Sequence, residues 1–111
     1  MINAHVEKKN EVTIIHIFGI LNAQSVYEAE KIWNEQITNK PEIIALDFSG
    51  IEYVDSMGIS GLVKLSKSSI INEIELIFYG MSADVKDLFE VASLTEYFNI
   101  LTKSEFEIDY I

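Results

Sequence analysis

No cysteine occurs among the 111 residues, so neither a disulfide nor a thiolate metal site can form. That composition fits a reducing cytoplasm, where disulfides do not persist. Arginine is absent too: lysine supplies all eight basic residues against 18 acidic ones, and the formal net charge is −10. Such a balance repels phosphate backbones and anionic lipid, and it provides no basic patch. Neither nucleic acid nor a membrane is expected as a partner; the acidity serves solubility or a partner with a basic face. Proline occurs once, as Pro41 in "TNKPE", where it marks a turn between two periodic segments. No apolar run approaches the roughly 18 residues of a membrane span. The first residues, "MINAHVEKKNEV", lack the apolar core of a signal peptide, and a cytoplasmic location is expected.

The usual catalytic signatures are missing as well. The two histidines, His5 and His16, both fall in strand patterns, and neither has a second ligand at metal-binding spacing. A hydrogen-bonded sheet histidine is the expected reading of His16. No G-x-S-x-G elbow, P-loop or G-x-G-x-x-G occurs. In "GISG", Ser60 stands at the wrong spacing for a nucleophile and reads as a small residue where helix and sheet pack closely. The pairs Glu73/Glu75 and Glu105/Glu107 have strand spacing, and a solvated edge explains them. No catalytic residue, metal or cofactor is therefore expected, and the chain does not read as an enzyme.

What is present is apolar patterning along the whole length. About half of the residues are hydrophobic, enough for one core in one domain spanning residues 1–111. Residues 3–8 read as a short edge strand and "EVTIIHIF" as a buried strand ended by Gly19, with Lys9-Asn10 as the hairpin turn between them. Either Asn22 or Ser25 is suited to cap the next helix, whose inner face is Val26, Ala29, Trp33 and Ile37, ending near Asn39. "EIIALDF" is a second buried strand. Ile59, Leu62, Val63, Ser66 and Ile70 mark a helix over residues 56–71. "IELIFY" is a third core strand, followed by a helix after Ser82 with Val85, Leu88, Phe89 and Ala92 inward. Residues 94–101 read as a helical turn and a final strand, and the tail "SEFEIDYI" as a weak edge strand. A strand–helix–strand repeat implies parallel pairing through a crossover. The fold class is α/β: a small mixed sheet of four to five strands with helices mainly on one face.

One stretch needs a separate account. In "YVDSMGISG", an apolar run ends at an acid and a hydroxyl, and two glycines follow before a long amphipathic pattern. Asp55 or Ser56 is suited to be an N-cap, its side-chain oxygen accepting a free N–H of the first turn. Gly58 is expected to expose backbone there and keep the surface flat for a partner. On this reading of the residues, the segment is either a plain cap or a place for Ser56 to accept a phosphate. A phosphate there would meet unpaired N–H groups and the positive end of the helix dipole. Its charge of about −1.5 to −2 would add to that of Asp55 and repel whatever docks on this corner, without refolding the domain.

"IIALDFSGIEYVDSMGISGLVKL" resembles the signature of the STAS domain, found in bacterial anti-sigma factor antagonists and their relatives. "FGILN" resembles the family's segment after the second strand, and residues 74–100 resemble its later strand, helix and terminal segment, so the resemblance covers the whole chain. It implies a STAS-type single domain acting as an anti-sigma factor antagonist. The unphosphorylated form would bind an anti-sigma factor serine kinase, the kinase would phosphorylate Ser56 and end binding, and a metal-dependent serine phosphatase acting on phosphorylated Ser56 would restore it. The matching positions imply a partner-binding set of Asn22, Asp55, Ser56, Met57, Gly58 and Ile59. Met57 stands where Ser or Thr is frequent, which narrows the acceptor to Ser56. Asn22 replaces a usual acid, and Ile20 stands where Glu is common, so it is either an exposed apolar group or a buried substitute. A monomer is expected. The alternatives are a STAS scaffold of a stress-sensing or phosphatase-linked partner-switching complex, and a transport-associated STAS subunit.

Overall fold

Asn10 and Glu11 both take positive φ, 50° and 67°, and reverse the chain between two strands. Those are the backbone angles of a tight hairpin turn whose twist matches the strands it joins. The turn lies one residue beyond the expected Lys9-Asn10, because Lys9 is already paired with Val12. In the computed structural model, which describes residues 2–111, the hairpin joins β1 (Ile2–Lys9) to β2 (Val12–Leu21). Next come α1 (Ser25–Ile37), β3 (Ile43–Val54), α2 (Ser56–Ile71), β4 (Glu75–Tyr79), α3 (Ala83–Val91), β5 (Asn99–Leu101) and α4 (Lys103–Tyr110). Strand order in the sheet is β1-β2-β3-β4-β5; β1 pairs antiparallel to β2, and the other three pairings are parallel. The mixed sheet, the edge position of β1 and the helical crossovers match the expectation.

Alternation along the strands divides the core into two layers. Ile15, Ile17, Ile44, Leu46, Phe48 and Phe78 point to one face and pack against Trp33 of α1, Leu62 and Leu65 of α2, and Val85 and Phe89 of α3. Ile14, Ala45, Ile77 and Tyr79 point to the other face, where α4 lays Phe106 flat on Tyr79, ring centroids 4.1 Å apart. Three helices thus share one face, and α4 covers part of the other.

The structure corrects several of the expectations. Gly19 does not end β2: at φ 120° it stays in the ladder, paired with Ile51, and the strand runs on to Leu21. β3 does not stop at Phe48, the end of "EIIALDF", but runs on to Val54, and it carries an extra residue opposite each of two irregularities in its pairing with β2. Such bulges bend a strand without ending it. Gly50 sits at the first bulge, where a Cβ would lie 2.3 Å from Cδ2 of the exposed Phe18 ring. Ser66 is buried as expected, but Ile70 is 69% exposed, and Leu65 and Ser69 hold inner positions of α2 in its place. The tail is a helix, not an edge strand. Its start is a capping box, Thr102 Oγ1 accepting the Glu105 N–H (3.1 Å) and Glu105 Oε1 accepting the Thr102 N–H (2.8 Å). The pattern T-x-x-E was the sequence signal for it, and Glu105 and Glu107 lie on a helix accordingly.

Candidate functional site

Leu21 and Val54 are paired at the carboxyl ends of β2 and β3, and the Asp55 N–H donates to the Leu21 carbonyl at 3.0 Å. Two segments distant in sequence, Asn22 after β2 and Asp55-Ser56 after β3, therefore meet in one corner. Carboxyl ends of parallel strands are the usual place for a functional surface in such sheets.

Asp55, not Ser56, makes the cap. Its backbone is extended, and its Oδ1 accepts the Gly58 N–H at 2.8 Å. Ser56 is the first residue of α2 and is exposed. Its hydroxyl is consequently free of the capping role, at the end of the helix where N–H groups point outward. Asp55→Ala is expected to cost about 1 kcal/mol of stability, whereas Ser56→Ala should stay within about 0.5 kcal/mol of the parent. Urea denaturation of the two variants checks this assignment; equal losses would contradict it.

Of the two cap candidates before α1, neither holds the N-cap position, which is Gln24 with no side-chain cap bond, but Asn22 satisfies N–H groups there. Its Oδ1 accepts the N–H groups of Gln24 (3.1 Å) and Ser25 (3.0 Å) at the start of α1. Ser25 is buried and ties the turn from inside, its Oγ accepting the Asn22 N–H at 2.9 Å and donating to the Ile20 carbonyl at 2.5 Å. Asn22 thus holds the loop beside Ser56 in shape.

The glycines of α2 face inward, which corrects the expectation of a flat exposed surface at Gly58. Gly58 is buried, and a Cβ there would lie 2.5 Å from the Leu21 carbonyl oxygen and 2.9 Å from Val54 Cγ1. Gly61 is buried against α1, where a Cβ would lie 2.1 Å from Val26 Cγ2. The close-packing role expected of Ser60 belongs to Gly61, and Ser60 is exposed. Two glycines three apart on one helix face were the available sign of close approach. The outward residues of this turn are Ser56, Met57 and Ser60, with Ile59 half-buried against the core.

Large apolar side chains stand around the exposed serine. Met57 is 55% exposed and Tyr27, across from it on α1, is 69% exposed. With Ala23, Ser60 and Lys64 they border a shallow groove of about 80 Å³ between the helices. Ile20 is exposed as well and is paired with the exposed Tyr53 of β3, so of its two expected states the outward one is realised. Tyr27 and Tyr53 were not among the expected partner-binding residues; their exposure depends on how α1 and the bulged end of β3 sit on the sheet. Among the described residues no cluster of three or more His, Asp or Glu is arranged to hold a metal, and no helix is long and apolar enough to cross a membrane.

Comparison with known proteins gives this geometry a family context. The family model of the STAS domain matches residues 3–106. An anti-sigma factor antagonist from Mycobacterium paratuberculosis is similar with a TM-score of 0.86 and 15% identity, over 99% of this chain and 94% of that one. The Bacillus cell fate determinant SpoIIAA in its phosphorylated form is similar with a TM-score of 0.69 and 19% identity, over 96% of this chain and 97% of that one. A sulfate transporter family protein from Wolinella succinogenes is similar with a TM-score of 0.71 and 16% identity, over 88% and 83%. At these identities the likeness is one of fold.

Proposed function

The chain belongs to the STAS domain family, and from that premise we propose that it is an anti-sigma factor antagonist, switched off by phosphorylation of Ser56. The observation that carries this reading is the exposed Ser56 at the start of α2, relieved of capping by Asp55. Fold likeness to an anti-sigma factor antagonist and to the phosphorylated form of the Bacillus cell fate determinant SpoIIAA supports it.

The docking surface is the corner formed by Asn22, Asp55, Ser56, Met57 and the edge of Ile59. Met57 and Tyr27 supply apolar contact area beside the acceptor hydroxyl. The partner is an anti-sigma factor serine kinase, which binds the unmodified corner and transfers phosphate to Ser56. The modified residue then carries about −1.5 to −2 charge next to the Asp55 carboxylate. The outward N–H groups of the helix start hold that phosphate in place, so the domain keeps its fold while the contact surface acquires bulk and repulsion. A serine phosphatase acting on phosphorylated Ser56 resets the corner.

Binding to the cognate kinase, measured by calorimetry with the parent, Ser56→Ala and Ser56→Asp, tests the proposal. Ser56→Ala is expected to bind as the parent does and to remain bound when ATP is added. Ser56→Asp is expected to weaken binding at least tenfold, about 1.4 kcal/mol. Intact mass after incubation with kinase and ATP should show one phosphate, lost in Ser56→Ala. A phosphate elsewhere, or recovery of the protein with a membrane transporter and no kinase, would sink the reading.

A further inference from the structure

Away from the Ser56 corner, three adjacent strands bring a second polar group together on the face that carries α4. His16 of β2 is directly opposite Asp47 of β3, and Glu7 of β1 lies diagonally across from it, opposite Ile14. His16 Nδ1 is 2.6 Å from Asp47 Oδ2, and His16 Nε2 is 2.7 Å from Glu7 Oε1. The other Asp47 oxygen, Oδ1, accepts the Ser49 N–H (2.9 Å) and the Ser49 hydroxyl (2.7 Å). The expected hydrogen-bonded sheet histidine is therefore present, but with a carboxylate at each end. An ionised carboxylate only accepts hydrogen bonds, and a neutral imidazole has one N–H to give. Both contacts are satisfied together only when both ring nitrogens carry a proton.

We propose that the His16 imidazolium is a proton-dependent clasp, tying edge strand β1 to β3 across β2 and releasing Glu7 when the ring is neutral. The clasp has three members on three strands, so it acts across the sheet rather than within one pairing. Among the described residues β1 has no strand partner on its outer side, and Glu7 is the member that can swing away.

The surrounding charges do not supplant the two carboxylates. His5 of β1 stacks on the His16 ring at 4.6 Å. A cleft of about 230 Å³ beside His16 is also bordered by Lys9 of β1, Tyr79 of β4, and Lys103 and Glu107 of α4. Burial, followed by the charges of Asp47 and Glu7, pushes the Tyr79 phenol far up, so it stays neutral. Partial burial opposes the charged ring of His16, but its hydrogen bonds to Asp47 and Glu7 and their charges outweigh this and hold it above its ordinary value of 6.5. Burial likewise opposes ionisation of Asp47, yet its bonds from Ser49 and His16 hold it below 3.8.

The signs follow from linkage. The His16 contribution is complete below 6.5, its ordinary value, and is lost as pH rises through the raised folded-state value. The Asp47 contribution is present above 3.8 and is lost as pH falls through its lowered folded-state value. The clasp opens on the alkaline side by deprotonation of His16, and its Asp47 arm is lost on the acid side when that carboxylate is protonated.

Nitrogen NMR of the histidine rings, followed through a pH titration, reads the clasp directly. His16 is expected to show two protonated nitrogens at neutral pH and a midpoint above that of a free histidine peptide. Glu7→Gln, a change on an exposed edge that leaves the core untouched, should move that midpoint down. Amide exchange in β1, corrected for intrinsic rates and compared with β4 in the same sample, should accelerate above the midpoint. This acceleration should vanish in His16→Gln. A single neutral tautomer at neutral pH, a midpoint unmoved by Glu7→Gln, or β1 exchange unchanged across the titration would each overturn the proposal.

Discussion

Phe78→Ala is expected to lower the free energy of unfolding by about 3–5 kcal/mol, the range for emptying a large aromatic site in a well-packed core. Phe78 is fully buried on β4 and stands at the centre of an aromatic cluster. Its ring meets Phe48 edge-on at 5.4 Å, Phe98 at 4.9 Å and Phe89 at 6.3 Å. Those neighbours come from β3, the segment before β5, and α3. Truncation removes the ring that ties α3 and the segment before β5 to the sheet, and rigid rings refill a cavity poorly. Against a total of about 5–15 kcal/mol for a domain, such a loss brings the protein near its unfolding midpoint in moderate denaturant. Urea titration with unchanged slope is the measurement. A loss below about 1 kcal/mol would mean that Phe89 and Phe98 collapse into the space, contrary to this packing.

Gly58→Ala should destabilise the domain by about 2–3 kcal/mol, and its sign matters more than its size. In an exposed first turn the same change would stabilise the helix by up to about 1 kcal/mol, because glycine loses more backbone entropy on folding than alanine. Here the added methyl meets the Leu21 carbonyl oxygen at 2.5 Å, a backbone atom that is also the acceptor for the Asp55 N–H. Relief requires the start of α2 to lift from β2, which strains the bond positioning Asp55 and with it the Asp55 cap. The variant should therefore lose both thermal stability and affinity for the partner, whereas Ser56→Asp should lose affinity alone. Thermal unfolding and binding measured on the same preparations separate the two effects. A Gly58→Ala protein as stable as the parent would return Gly58 to the surface role that its sequence context implied.

The elements with strong periodicity were legible from the sequence. The span of α2, the core strand β4 and the helix after Ser82 are where their apolar spacing places them, and Asp55 was one of two caps its residue type allowed. Errors gathered where local pattern and tertiary pairing compete. Gly19 reads as a strand terminator, but its pairing with Ile2 and Ile51 keeps it in the ladder at a positive φ. The strand pattern "EIIALDF" stops at Phe48, where serine and glycine interrupt the apolar run, yet β2 pairs with Gly50, Ile51 and Tyr53 beyond it through bulges. The tail alternates like a strand over a few residues, while its capping box and the burial of Phe106 on Tyr79 make it a helix.

The sequence by itself determined that this is a cysteine-free acidic α/β domain with Ser56 placed at a helix start, because periodicity, residue type and composition are local properties. Only the tertiary structure decided what the residues around that serine do. Asp55 takes the cap, the glycines turn inward against β2 and α1, and Met57 and Tyr27 are left outward beside Ser56. It also placed Glu7 and Asp47 at opposite ends of the His16 ring, since strand register alone decides which side chains of three strands become neighbours. Burial, approach distance and cross-strand register are relations between distant segments, and folding creates them by bringing those segments together.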